Sequence, residues 1–87
     1  MPERFPPPPF WRTEYFEFDV WARRDRRDID PADILQTLAQ PFRQHQQADG
    51  RFRLWSWVPL RQRWLRVIVE PDGETVHNAF WDRNFRP

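Results

Sequence analysis

The residues best suited to chemistry are cationic and aromatic, and they lie close together. Arg51 to Arg66 (RFRLWSWVPLRQRWLR) holds five Arg, three Trp and no acid. Guanidinium groups neutralise phosphate and indole rings stack on unpaired bases, so this interleaving suits a single-stranded nucleic acid. Arg51, Arg53, Trp55, Trp57 and Trp64 are the candidate contacts. The same pattern also describes an amphipathic strand pair whose Trp residues are covered by the Pro-rich N-terminal arm or by a partner chain. Arg66 falls between Leu65 and Val67. It is either a solvated strand residue or a cation held rigidly on a sheet, where it could stabilise charge on a phosphate in transfer. Arg23 and Arg27, one helical turn apart, would form surface salt bridges or lip a phosphate site.

Most enzyme signatures are absent. Gly50 and Gly73 are the only glycines, which leaves no Gly-rich phosphate loop. Ser56 is the only serine and falls inside a predicted strand, unlike a nucleophile elbow. His45 and His77 are the only histidines and have no partner at ligand spacing, so no metal site and no cofactor are expected. His77 reads as a partly buried structural residue pointing to the helix side of the sheet, with an acid–base role as the alternative.

Several elements must position these side chains. Residues 1–13 (MPERFPPPPFWRT) form an extended arm, because Pro6 to Pro9 favour polyproline II. Phe5, Phe10 and Trp11 would lie against the domain. Tyr15-Phe16-Glu17-Phe18 suits either a short strand or the lead-in to a helix, and Val20 to Asp28 reads as helix, with an Asp19–Arg23 ion pair at i,i+4. The next helix has Asp30 as N-cap, Pro31 at its first position, an apolar stripe of Ile34, Leu35 and Leu38, and a stop near Gln40 before Pro41. Phe42 to Gly50 is a polar connection. Strands follow over Arg51–Val58, Trp64–Glu70 and Val76–Trp81. The turn at Pro71-Asp72-Gly73 sets Glu70 opposite Glu74, hence Ile68 opposite Val76 and Leu65 opposite Ala79.

The fold class is thus α+β: an arm over 1–13, then one domain over 14–87 with an N-terminal helical pair on a three- to four-stranded antiparallel meander. Leu65, Val67, Val69 and Ala79, with Phe52 and Leu54, would face the helices. Trp55, Trp57, Trp64, Arg53, Arg66, Asn78 and Phe80 would face away.

The chain has 87 residues, so its core is thin, and with no cysteine nothing covalent can staple it. Six Trp and eight Phe supply the apolar bulk instead. All fourteen basic residues are Arg. That reflects either a GC-rich genome or selection for the planar guanidinium fork. No apolar run is long enough for a membrane span and no signal peptide is seen, so a cytoplasmic chain is expected.

The chain also resembles an uncharacterised family within the RelE/colicin D-like ribonuclease toxin superfamily, over roughly residues 15–85. The likeness rests on Arg23 and Arg27 followed by Ile29, a helix ending at Pro41, Asp49-Gly50-Arg51, Trp64-Leu65-Arg66-Val67-Ile68-Val69, Asp72-Gly73, and Val76 through Ala79-Phe80-Trp81-Asp82. The resemblance implies a RelE-like fold and a metal-independent ribonuclease or a degenerate relative, commonly paired with an antitoxin. Arg66 would be the transition-state cation, with Arg23 and Arg27 nearby. The family often carries a His eight residues before the second helix arginine. Here that position is Asp19, so proton transfer would fall to Asp19, His77 or Tyr15. The alternative is a non-catalytic RNA- or protein-binding module, or a homodimer formed through the Trp/Arg sheet face.

Overall fold

The computed structural model describes residues 10–87; of the expected arm, residues 1–9 lie outside them. The order is a π-helical turn Phe16–Val20, a 3-10 turn Arg24–Arg26, helix α1 Pro31–Ala39, then strands β1 Arg43–Gln46, β2 Phe52–Val58, β3 Arg63–Val69 and β4 Val76–Trp81. The strands form one antiparallel sheet in the order β1-β2-β3-β4. The helical segments pack on one face, giving a small α+β domain.

Helix α1 begins where its cap chemistry dictates. The Asp30 carboxylate accepts the Ala32 N–H at 2.8 Å, and Pro31 follows at the first position. It ends at Gln40, in a non-helical conformation before Pro41. The buried stripe differs from the expected one. Ile34 is fully buried, but Leu35 is exposed and Thr37 takes the inner position. Thr37 is tolerated there because its hydroxyl donates to the Asp33 carbonyl at 2.7 Å.

The predicted helix over Val20 to Asp28 is replaced by two short turns. The segment anchors itself through Phe16, Val20 and Ile29, all buried, and through a buried arginine. Arg26 donates from Nε to the Ala79 carbonyl of β4 at 2.8 Å and from Nη1 to Asp25 at 2.5 Å. The Asp19–Arg23 pair does not form; Arg23 donates to the Tyr15 hydroxyl instead, at 3.2 Å.

The polar stretch after Pro41 contains β1, a strand exposed along its whole length. It pairs Arg43 with Trp55 and Gln46 with Phe52, which makes the sheet four-stranded. The β3–β4 register also departs from expectation by two residues. Val69 pairs with Val76 and Ile68 with Asn78, so His77 is the extra residue of a bulge. The Glu70 N–H bonds to the Thr75 carbonyl, not to Glu74. From Asn78 onward the shift is even and each side chain keeps its face; before the bulge it is one residue, which turns Val76 from the outer face opposite Ile68 into the core opposite Val69. Phe52, Leu54, Leu65, Val67, Val69 and Ala79 join the core with Phe10, Phe16, Val20, Ile29 and Ile34. Burying each such side chain contributes roughly 1.5–3 kcal/mol, against about 1 kcal/mol for the helix cap, so sheet–helix packing dominates.

The outer edge of β4 is covered at its start and at its middle. At Val76 the backbone accepts from Thr13 and donates to Trp11, a short parallel bridge. At Ala79 the carbonyl is taken by Arg26. Arg26→Met keeps the apolar stem but leaves that carbonyl without a partner. The expected loss is about 1–3 kcal/mol, read as a lower urea midpoint at unchanged slope.

Candidate functional site

On the sheet face away from the helices, Arg43, Trp55, Arg66 and Phe80 lie in one row across all four strands. Arg66 is half-buried there, its guanidinium 5.5 Å from the Trp55 ring centroid and 4.9 Å from that of Phe80. It does not point freely into solvent. Its Nε and Nη2 donate to Asp82 Oδ2 at 2.9 and 2.7 Å, and the Trp55 indole N–H donates to the same oxygen at 2.9 Å. Asp82 Oδ1 accepts the Asn84 N–H at 3.0 Å. Burial alone would raise the Asp82 carboxyl pKa. The Trp55, Arg66 and Asn84 hydrogen bonds outweigh burial and hold it below the usual carboxylate range.

The segment that follows Asp82 folds back over this row. Phe85 stacks on Trp55 with centroids 4.8 Å apart and planes 22° apart, and meets Trp64 at 4.8 Å. Arg43 lies over Phe85 at 5.4 Å. The cover of the Trp face is therefore this segment rather than the described part of the Pro-rich arm. Trp55 ends up buried, whereas Trp57 stays 46% exposed beside Trp64.

Beside it opens a cleft of about 1030 Å³ between the Arg24–Arg26 turn, the end of β4 and the segment after it. Six arginines line the cleft (Arg24, Arg26, Arg27, Arg63, Arg83 and Arg86) against three aspartates (Asp25, Asp28 and Asp82). Each aspartate already has its cation. Asp25 binds Arg26, Asp28 binds Arg63 and the Trp81 indole, and Asp82 binds Arg66. Arg24, Arg27, Arg83 and Arg86 make no ion pair among the described residues, so the excess charge of the cleft is positive. Trp57 and Trp64 form its aromatic wall.

A different cluster forms at the opposite end of β4. The His77 ring stacks on Tyr15 at 4.9 Å, and Arg23 reaches the Tyr15 hydroxyl. His77 Nδ1 lies 3.3 Å from Glu70 Oε2 without the alignment of a hydrogen bond. Glu70 in turn meets Arg51, which also pairs with Asp49. Burial first, and then the Arg51 charge, lower the His77 pKa; Glu70 and Asp49 oppose this without prevailing. The balance favours the neutral imidazole.

The sequence-derived residues thus separate into groups. Arg27, Trp57 and Trp64 line the cleft. Arg53, Trp55 and Arg66 line a shallower groove beyond Phe85, where Arg53 donates to Gln47 at 3.0 Å. Arg23, Arg51 and His77 gather around Tyr15 and Glu70. Asp19 is exposed on the π-helical turn and joins none of them. Arg66 and the proposed proton carriers His77 and Asp19 do not share a cleft. Among the described residues no group of three or more His, Cys, Asp or Glu could hold a metal ion, and no helix is long and apolar enough to cross a membrane. The residues not anticipated are Asp82, Phe85 and the cleft arginines. Asp82 had one trace in the sequence, as the only acid after Glu74. Comparison with protein-family models, curated proteins and solved structures gives no match.

Asp82→Asn should lower stability by about 2–3 kcal/mol at pH 7, since the bonds it weakens are charge-assisted. A carboxyl whose folded pKa is depressed stabilises fully above its unfolded pKa of about 3.9 and loses that contribution as pH falls through the lower folded value. Urea titrations of both proteins should therefore converge at acid pH. The His77 pKa is also depressed, so its contribution is complete above about pH 6.5 and is lost as pH falls toward the folded value. Stability curves of His77→Gln should lack that part of the acid slope.

Proposed function

We propose that this domain is a binding module for single-stranded nucleic acid, RNA in the first instance, which it holds in the cleft without cleaving it. The observation that carries this reading is the excess of four guanidiniums over matched acids beside the exposed Trp57 ring. Arg24, Arg27, Arg83 and Arg86 neutralise successive phosphates, and Trp57 with Trp64 offers a face on which a base stacks. In terms of the RelE-like resemblance the domain is a degenerate toxin-type relative. Its Arg66 guanidinium is committed to Asp82, so the cation assigned to the transition state serves the fold.

One observation favours a second reading, the metal-independent ribonuclease. His77, Glu70, Arg51 and Tyr15 lie together at the other end of β4. A neutral His77 could take the proton of a 2′-hydroxyl as that oxygen bonds to the adjacent phosphorus and the bond from phosphorus to the 5′-oxygen breaks, the leaving oxygen being protonated by water; Arg51, shared with Asp49 and Glu70, would be the nearby cation. Antitoxin-type partners would then compete for the same surface. A homodimer would use the Trp/Arg face, where Phe42 is 57% exposed next to Trp64.

Fluorescence anisotropy with labelled single-stranded RNA tests the binding reading. The logarithm of the association constant should fall with the logarithm of salt at a slope of about −3, from four phosphate contacts at about −0.7 each. Arg24→Gln with Arg27→Gln should flatten that slope by about 1.4. Trp57→Ala should weaken binding by about 1–3 kcal/mol without changing the slope. A salt-independent signal, or equal affinity of the Trp57→Ala variant, counts against the cleft. The same RNA run on a gel in EDTA should stay intact; cleavage abolished by His77→Gln would establish the ribonuclease instead. Sedimentation velocity identifies the homodimer by a mass that rises with protein concentration.

A further inference from the structure

The ring that blocks the Trp/Arg face belongs to the chain itself, and it is held as a base would be. Phe85 lies nearly flat on Trp55, tilts against Trp64 at 59°, and carries the Arg43 guanidinium over its ring. Indole stacking with a guanidinium nearby is how unpaired bases are commonly gripped. Beyond Phe85 lies an open groove of about 440 Å³ lined by Arg43, His45, Arg53, Trp55 and Arg66. Asp82, Phe85 and Arg86 border both this groove and the larger cleft, so the segment after β4 is the wall between them.

That wall is lightly fastened past Asp82. It is neither helix nor strand. The Phe85 N–H reaches the Asp82 carbonyl at 3.4 Å, and the Arg86 carbonyl accepts from Arg43 at 3.4 Å, both at the long limit for hydrogen bonds. Only the Asn84 N–H, at 3.0 Å from Asp82 Oδ1, is well placed. The ring of Phe85 is thus the main tie, and its partners accept any flat aromatic group.

We infer that the groove under Phe85 is a second base-stacking subsite for single-stranded nucleic acid, with Phe85 standing in for the base in the unliganded chain. This rests on the proposed binding function and extends it. A strand seated in the cleft presents its next base to Trp55, displaces Phe85, and brings its following phosphate to Arg43 and Arg53. Cleft and groove then form one continuous surface. The displaced ring gives no base-edge contact, so the subsite selects for an unstacked base and not for its identity.

The test compares the 87-residue chain and its Phe85→Ala variant, titrated with labelled oligouridylate from about four to about sixteen nucleotides, the span that small modules cover. The variant should bind about three- to tenfold tighter, since its subsite is open before the ligand arrives. The affinity gain should appear only on strands long enough to reach beyond the cleft. Hydrogen exchange on the unmodified chain reads the same event without a mutation. Saturating RNA should speed exchange at the Asn84 and Phe85 amides, and circular dichroism verifies that the variant is folded. If the unmodified chain binds, the variant binds no better and the two amides do not change, the subsite is refuted and the cleft stands. Binding by the variant alone would support the subsite and refute the cleft as an independent site. Absence of binding by both proteins would overturn both. Should Phe85→Ala fail to fold, the exchange rates of the unmodified chain decide by themselves.

Discussion

The Asp82 carboxylate stands where three segments meet. It receives the Trp55 indole from β2, the Arg66 guanidinium from β3, and the Asn84 amide from the segment after β4. Removing a carboxylate from water is unfavourable by several kcal/mol unless strong donors replace the solvent. Here three side-chain N–H groups converge on one oxygen and a backbone N–H meets the other. The consequences spread outward. Arg66 is fixed over two rings and removed from the pool of available cations. Trp55 is pulled down into the sheet, which presents its upper face to Phe85. The chain after β4 is turned back along the sheet, carrying Arg83 and Arg86 to the cleft. The site is in this sense a by-product of satisfying one buried acid.

The exclusive use of arginine has a structural counterpart in these contacts. Arg26, Arg43, Arg63 and Arg66 each lie within 5.7 Å of an aromatic centroid. Arg26 and Arg66 also hydrogen-bond in the same pose, to a carbonyl and to a carboxylate. A planar guanidinium can stack and donate from its edge at once; an ammonium is compact, strongly hydrated and cannot. With no cysteine and a thin apolar layer beneath α1, the sheet gains a second packed face from alternating cations and rings. That face remains polar enough to meet water, and it leaves a surplus of charge where acids run out.

The parts of the fold legible in the sequence are those set by local rules. Asp30, Pro31 and Pro41 bracket α1 because caps and proline act within a few residues. Alternation in β2 and β3 assigned Leu54, Leu65 and Val67 inward and Trp57 and Arg66 outward, as the structure has them. The strand Arg43–Gln46 was not legible, since Arg-Gln-His-Gln is exposed throughout and shows no apolar alternation. The two turns in place of the first helix accompany a contact from Arg26 to Ala79, fifty-three residues away, which no local rule encodes. The bulge at His77 shifted the register and turned Val76 into the core, which turn chemistry alone did not reveal. In the candidate site, Trp57, Trp64 and Arg27 were readable by residue type. The commitment of Arg66 to Asp82 and of Trp55 to Phe85 was not, because both depend on where the chain returns after β4.

That return sets a competition between a ring on the chain and any ring in solution. A tethered group a few residues from its anchor faces its site at an effective concentration of order millimolar. A free nucleoside must exceed that to take the place of Phe85, and the fraction of open sites scales down its apparent affinity. Under the proposed binding function, a strand seated on Arg24 and Arg27 would be under no such handicap. Its next base would itself be tethered near Trp55, so ring would compete with ring on equal terms, and the phosphate that follows would tip the exchange toward Arg43 and Arg53. A preference for length over monomer would then arise from tethering and charge, with no contact to a base edge.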